Sequence, residues 1–478
     1  MKKEYSKYFA PSLREARKRI MSKTGNFHFV IPDKLIGLGI NKKYHLKTYG
    51  CQGNLADSEK IAGILELLGF TPCFDDEEAD LILFNTCAIR ENAENRVFGE
   101  LGRIKSLKKK KPNLVLGLCG CMAQEEKVVN EIKTKHPQVD IIFGTHNIHK
   151  LPEYLADAFL KREKVVEVLS VEGDIVENIP TKRDHPKKAW VNIMYGCDEF
   201  CTYCIVPYTR GKERSRLPED IIKEVETLAS LGYVEVTLLG QNVNAYGKDL
   251  DINYTFSNLL DDLNKTKIKR IRFTTSHPRD LDDATISVMA KGGNIMPHLH
   301  LPVQSGSNTI LKKMNRKYTK EDYLEKIRKL NEQIPGISIT TDIIVGFPGE
   351  TDEDFLETLD LVQKANFEGA FTFIFSPREG TPAASFVDET PEEVKKQRLL
   401  TLNKLINEGF ARGNKKFEGE VVDVLVEGPS SKKDTIMTGY TTHNKLVNFN
   451  GDISMVGSIV KVKVEKAYTW HLKGKLVI

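Results

Sequence analysis

From Lys43 to about residue 165 the chain alternates short apolar runs with amphipathic stretches. The runs Tyr44–Lys47, Leu81–Asn85, Leu114–Leu118 and Val139–Phe143 read as strands, and Ser58–Leu68, Asn92–Lys109, Gln124–Lys133 and Ile148–Lys161 read as helices. Alternation on this scale predicts βαβ units and a doubly wound parallel sheet in an α/β fold. A second series follows. Its strands are Trp190–Met194, Val234–Leu239, Arg270–Thr274, His298–Leu301, Ser338–Val345 and Ala370–Phe375. Helical periods fit between them at Pro218–Leu231, Phe256–Asn264, Leu281–Ala290, Lys320–Gln333 and Asp352–Ala365. Six such units predict a partial (β/α)6 barrel with its active groups at the carboxyl ends of the strands.

After a helix at Pro391–Phe410 the texture changes to five short strands: Gly419–Val426, Thr435–Tyr440, Leu446–Phe449, Ile459–Glu465 and Lys475–Ile478. Gly and Asn turns between them suggest a small all-β barrel of the oligonucleotide-binding kind. The stretch 166–188, with Gly173, Pro180 and Pro186, reads as a linker. Residues 1–42 lack a clear period apart from a short basic helix candidate at Leu13–Lys23. The predicted divisions are therefore 1–42, 43–165, 166–188, 189–412 and 413–478.

The chain has 478 residues, 40% hydrophobic and 28% charged, which excludes global disorder and a membrane protein. Its longest nearly apolar stretch, Leu114–Ala123, is far short of a membrane span, and Glu4-Tyr5-Ser6-Lys7 stands where a signal peptide's apolar region would begin. A cytoplasmic protein is expected. The net charge of +4 conceals local excesses: 10 Lys/Arg against 3 Asp/Glu over residues 1–42, and 10 Lys against 7 Asp/Glu from Lys415 onward. The basic leader is either an RNA-contacting arm or a solvated tail. In the C-terminal segment Tyr440, Phe449, Tyr468 and Trp470 are interspersed among the lysines, a combination that suits RNA unless those rings fill the barrel.

The chemistry lies with the eight cysteines. Cys197-Asp-Glu-Phe-Cys201-Thr-Tyr-Cys204 is a C-x3-C-x2-C triplet, and no cysteine follows it. Three thiolates on one loop suit an iron–sulfur cluster. A structural zinc site would want a fourth nearby ligand, and the next histidine is His277. Cys51, Cys87 and Cys121 each follow a predicted strand, so they can converge into a second three-cysteine site. Cys119 is a substitute ligand of second rank if its strand continues, and Cys73, after Pro72, is read as an inert thiol.

Three ligands leave one iron of a four-iron cluster open, where S-adenosylmethionine could bind. Candidate contacts on the barrel rim are Gly240, Gln241, Asn242, Ser276, Gln304 and Asp342, with Tyr203 to pack on the adenine and Arg316 to meet a carboxylate. Ser276 precedes His277-Pro278, and Gly349-Glu350 closes the stretch that Asp342 opens.

The segment Met194-Tyr-Gly-Cys-Asp-Glu-Phe-Cys-Thr-Tyr-Cys-Ile-Val-Pro-Tyr-Thr-Arg-Gly resembles the signature of the radical SAM methylthiotransferases. Thr48-Tyr-Gly-Cys-Gln, Asn85-Thr-Cys-Ala-Ile-Arg-Glu-Asn-Ala and Gly120-Cys-Met-Ala resemble that family's three N-terminal cysteine motifs, and the C-terminal barrel resembles its TRAM domain. Pro207-Tyr-Thr-Arg-Gly and Thr274-Thr-Ser-His-Pro are most similar to the MiaB branch. Gly53 departs from the methionine often found there, and the basic leader has no counterpart in the resemblance.

The resemblance implies two [4Fe-4S] clusters, one on Cys51, Cys87 and Cys121 carrying the sulfur, the other on Cys197, Cys201 and Cys204 holding S-adenosylmethionine. It also implies transfer of a methylthio group to carbon 2 of isopentenyl-adenosine beside a tRNA anticodon, with two S-adenosylmethionine used per product. An electron donor such as flavodoxin or ferredoxin and a sulfur source would be partners of a monomeric enzyme. RNA contacts would come from the leader, the Arg103–Lys111 segment and the C-terminal barrel. The alternatives are a relative acting on threonylcarbamoyl-adenosine or a ribosomal-protein aspartate, and a non-catalytic iron–sulfur RNA sensor.

Overall fold

A computed structural model describes residues 26–88, 91–168, 175–430 and 433–477. The helix candidate Leu13–Lys23, the motif residues Ile89 and Arg90, and Gly173 lie outside the described residues. The chain forms two compact units. The first runs to Asp184 and adds Tyr195–Phe200 and Cys204–Arg216; the second takes His185–Met194, Cys201–Tyr203 and everything from Leu217.

The first unit is built on a six-stranded parallel sheet in the order Thr71–Pro72, Lys43–Tyr49, Leu81–Thr86, Val115–Cys119, Ile141–Phe143, Val165–Glu167. Leu81–Thr86 and Val115–Cys119 are buried along their whole length, as central strands covered on both faces must be. Helices Gln52–Leu67 and Leu151–Leu160 pack on one face through Ile61, Ile64, Leu65 and Leu155. Helices Glu91–Lys110 and Glu126–Lys135 cover the other through Val97, Leu101, Ile104, Val129 and Ile132. This is the doubly wound sheet that the alternation predicts.

Two divisions differ from the sequence reading. Residues 26–42 are integrated rather than a tail: Asn26–His28 pairs in parallel with Ile175–Glu177, and Leu35 is buried in the sheet's core. The linker is likewise held. Val165–Glu167 is a sheet strand, and Glu59 on helix Gln52–Leu67 binds Arg183 Nη1 at 2.9 Å and the Asp184 amide at 3.1 Å. At Gly63 on the same helix a Cβ would meet the Pro180 carbonyl oxygen at 2.2 Å, so residues 180–184 lie flush across that helix.

The second unit carries six parallel strands in two sheets of three: Lys188–Asn192, Glu235–Leu239 and Arg270–Phe273, then His298–His300, Ser338–Val345 and Ala370–Ile374. A parallel bridge, Ile271 to Ile295, links the two halves into one open barrel. Helices such as Lys320–Gln333 and Asp352–Ala365 cover its outside, with Thr319 and Thr351 closing capping boxes on Asp322 and Asp354.

Helix Glu392–Lys415 leads to a closed five-stranded barrel of Val421–Ser430, Lys433–Thr441, Leu446–Asn450, Ile459–Ala467 and Leu472–Leu476. Its last strand thus begins three residues earlier than the sequence suggested. The small barrel docks on the partial barrel through Arg270, which donates to the carbonyls of Tyr440 and Asp423 at 2.9 Å each. Arg272 reaches those of Thr441 and Thr442, and Lys445 pairs with Glu368 at 2.8 Å. Phe449 is core, whereas Tyr468 and Trp470 are exposed.

Candidate functional site

The first-unit site begins with three adjacent strands whose carboxyl ends each release a cysteine. Lys43–Tyr49 runs into Gly50 and Cys51, and Cys51 caps helix Gln52–Leu67 at its N-terminus, six residues earlier than the expected helix start at Ser58. Leu81–Thr86 delivers Cys87, whose amide donates to the Tyr49 carbonyl at 2.8 Å. Val115–Cys119 delivers Cys121 by way of Gly120 at φ +92°. At Gly50 a Cβ would lie 2.9 Å from that of Cys87, and at Gly120 it would lie 2.3 Å from Asn85 Oδ1. Close approach of these chain ends therefore requires glycine at both places.

Gly120 also separates two cysteines that a straight strand would align. Cys119 stays in the apolar core with Leu65 and Phe143, where burial pushes its thiol well above the usual value. It is not the second-rank ligand that the sequence spacing offered. Cys121 turns out of the strand into a cluster with Ala88, Ile205 and Tyr208.

The three sulfurs interact. The Cys51 thiol is lowered to about 5 by a hydrogen bond from Cys87 and by the Arg210 charge, against the effect of burial, with the helix N-terminal amides of Gly53 and Asn54 contributing. Cys121 is raised by burial, which Arg210 partly opposes. Arg210 Nε donates to Cys121 Sγ at 3.2 Å while its Nη2 pairs with Asp57 at 2.7 Å. Behind the sulfurs, buried Asn85 donates to Ser58 Oγ and to the Asn54 carbonyl at 2.9 and 2.8 Å. Three cysteines outside any disulfide, with Cys51 held toward the thiolate and Cys121 hydrogen-bonded by an arginine, fit an iron–sulfur cluster with one open iron.

The triplet lies on the loop after Lys188–Asn192, with Cys197 and Cys201 buried and Cys204 half-buried. In the first unit the Cys197 amide donates to the Gly211 carbonyl at 3.0 Å. In the second, Arg316 Nη1 donates to Cys201 Sγ at 3.5 Å, with Nε on Tyr318 and Nη2 on the Pro302 carbonyl. The guanidinium expected to meet a ligand carboxylate is thus turned onto the loop.

The other rim residues separate into two groups. Thr275 and Gln304 hold left-handed backbone, φ +70° and +73°, at strand ends, and such strain collects at functional sites. Beside Thr275, Ser276 is buried with an unpartnered hydroxyl. Asn242 is buried with its amide on Asp280 at 2.6 Å, next to half-buried Gln241. At Gly240 a Cβ would meet the Met194 side chain at 2.6 Å, so packing accounts for that glycine. Tyr203 packs against Met314, Phe347 and Phe375. Glu350 is a buried partner of Arg398 at 2.8 Å.

Asp342 is not on the rim. It lies within strand Ser338–Val345 and faces the barrel interior, where His300 Nε2 is 3.3 Å from it and the His300 and Phe371 rings meet edge-on at 6.0 Å. Ordinary β/α barrels fill this interior with branched side chains. Here the alternation is inverted: Leu299, Ile339, Ile343 and Val345 are buried outward under the helices, while Phe371 and Phe373 face inward 63% and 51% exposed. That open floor went unread in the sequence, although the alternation in His298-Leu-His300 and Ala370-Phe-Thr-Phe-Ile374 carries it.

Arg210 lies within Pro207-Tyr-Thr-Arg-Gly, and nothing in the sequence around it signals its contact with Cys121. The Arg103–Lys111 stretch, by contrast, is largely engaged by its own unit: Arg103 pairs with Asp76 and Glu100, Lys108 with Asp140, and Lys111 bonds the Glu77 and Ala79 carbonyls.

Family models match three parts of the chain: the radical SAM superfamily over residues 191–362, the uncharacterized protein family UPF0004 over 43–144, and the TRAM domain over 415–477. The tRNA-2-methylthio-N(6)-dimethylallyladenosine synthase of Bacillus cytotoxicus is 59% identical over 482 residues, covering 99% of this chain and 95% of that one. The protein of the same name from Bacillus subtilis strain 168 is 59% identical over 483 residues, with the same shares covered. The chain belongs to this synthase family. Among solved structures, the radical S-adenosylmethionine methyltransferase TsrM of Kitasatospora setae aligns over 72% of this chain and 75% of that one. Its TM-score is 0.51 at 16% identity, a likeness of fold. No helix among the described residues is long and apolar enough to cross a membrane.

Proposed function

We propose that the protein transfers a methylthio group to carbon 2 of isopentenyl-adenosine next to a tRNA anticodon, using two S-adenosylmethionine per product. The observation that carries this reading is the convergence of Cys51, Cys87 and Cys121 around Arg210 in a chain that also bears the triplet. A second three-cysteine site supports this reading because sulfur delivery and radical generation each need an open iron of their own.

Cys197, Cys201 and Cys204 would hold one [4Fe-4S] cluster and Cys51, Cys87 and Cys121 the other. When bound, these clusters and S-adenosylmethionine supply the radical that takes hydrogen from carbon 2 and the methylthio group that replaces it. The protein's own part is positioning. Ser276, Gln304, Gln241 and Asn242 line the rim that would receive S-adenosylmethionine, beside Gly240 and Tyr203. Arg316 anchors the Cys201 end of the loop. The adenine lies on the open floor, stacked by Phe371 and Phe373 and oriented by the His300–Asp342 pair. The C-terminal barrel binds the RNA backbone with exposed Tyr468, Trp470 and its lysines. The enzyme works as a cytoplasmic monomer, with a flavodoxin- or ferredoxin-type donor and a separate sulfur source.

The test is anaerobic incubation of cluster-loaded protein with S-adenosylmethionine, reductant and tRNA carrying isopentenyl-adenosine, followed by nucleoside mass spectrometry. Methylthio product is expected. Its absence, or product only on threonylcarbamoyl-adenosine, refutes the reading. Absence of deoxyadenosine formation would instead mark an RNA-binding sensor.

A further inference from the structure

Arg210 is 7% exposed and its partner Asp57 is 4% exposed, so the chain buries a full ion pair beside the sulfurs of the first unit. Burial of such a pair carries a large desolvation cost and is not a route to stability by itself. A purely structural arginine tying Cys204–Arg216 to helix Gln52–Leu67 could spend its donors on backbone carbonyls. Arg210 directs Nε at Cys121 Sγ, 3.2 Å away, while Asp57 holds Nη2 at 2.7 Å. Because the guanidinium is planar and its donors are fixed in direction, fixing Nη2 aims Nε. Gly53 leaves the neighbourhood open: a Cβ there would lie 3.5 Å from Cys51 Sγ and 3.6 Å from Arg210 Nη2. In the second unit buried Arg316 also donates to a cysteine sulfur, Cys201 Sγ, but its other donors go to Tyr318 and the Pro302 carbonyl rather than to a carboxylate.

We propose that Arg210, oriented by Asp57, is the positioning residue of the Cys51, Cys87 and Cys121 site, whose hydrogen bond to the Cys121 sulfur raises the reduction potential of the cluster held there. The inference rests on the reading of that site given under Proposed function. Three thiolates on a four-iron cluster leave net negative charge in a desolvated place. A cation and a hydrogen bond at one sulfur draw electron density from the cluster and favour its reduced form. The arginine touches no substrate.

The experiment uses full-length protein with Cys197, Cys201 and Cys204 all replaced by alanine, so that one cluster reports. It is reconstituted anaerobically with iron and sulfide and titrated under electron paramagnetic resonance. The parent should hold about four irons. Arg210→Met should keep that loading and shift the midpoint to more negative potential. Arg210→Lys, which keeps charge without the Nε donor, should fall between. Asp57→Glu, which keeps the carboxylate charge but displaces it from Nη2, should shift in the same direction by less. Equal midpoints in the parent and the loaded variants would overturn the inference. If Arg210→Met does not fold, Arg210→Lys and Asp57→Glu decide it in the same way. A parent that binds no cluster removes the site itself and the inference with it, a result distinct from unchanged midpoints.

Discussion

Arg270 joins the small barrel to the partial barrel, and its replacement by methionine isolates that junction. The side chain is 2% exposed and both ends of its fork donate at 2.9 Å, to Tyr440 and Asp423 carbonyls. Methionine keeps much of the apolar stem. It removes two hydrogen bonds from a charged donor, each worth about 1.5–3 kcal/mol, and leaves two carbonyls without their partner. Part of that loss is offset, because burial disfavours the charged guanidinium and lowers its pKa. A net cost of about 3 kcal/mol weakens docking by roughly a hundredfold. Arg272 and Lys445 remain, so the barrel opens more often without leaving. Hydrogen exchange should quicken in Val421–Ser430 and Lys433–Thr441, and the KM for tRNA should rise. Iron content and deoxyadenosine formation without RNA should stay as they were. Unchanged exchange together with unchanged KM would refute the account of the junction.

Cys121→Ala should lower iron content by about half and abolish methylthio product, whereas Cys119→Ala, by iron assay and melting, should keep both clusters at a cost of roughly 1 kcal/mol. Phe371→Ala should change stability by no more than about 0.5 kcal/mol, because the ring is exposed, yet reduce kcat/KM for tRNA at least tenfold. Burial raises Asp280, but hydrogen bonds from Lys248 and Asn242 outweigh it and bring the carboxyl to about 2, below its ordinary 3.8. Its contribution to stability is therefore complete above about pH 4 and lost as the pH falls through 2. Lys248→Met should show a smaller loss of melting temperature over that window than the parent.

The triplet could be read from spacing because three thiols proposed to share a cluster on one short loop must be near neighbours in sequence. Cys51, Cys87 and Cys121 were readable for a different reason: strand periodicity placed each at the same point of successive units. What periodicity could not supply was the turn at Gly120, which sends Cys119 inward and Cys121 outward. Arg210 was equally hidden, since its partners Asp57 and Cys121 are distant in sequence and only the fold joins them. Asp342 looked like a rim residue because it stands near Gly346 and Gly349. The strand continues three residues beyond it, to Val345, and turns it into the interior. Residues 26–42 lacked a period because a three-residue parallel pairing and one buried leucine are too short to repeat.

The clasp of residues 180–184 on helix Gln52–Leu67 bears on how this architecture can be recombined. The helix starts at Cys51, and Glu59 and Gly63 receive the connecting segment along its length. A chimera that takes its sheet from one enzyme and its barrel from another must therefore carry helix and clasp from the same parent. Crossovers placed within 180–184 would disturb the seat of a cysteine more than 120 residues upstream. What looks in sequence like an exchangeable tether is inherited with the three-cysteine site.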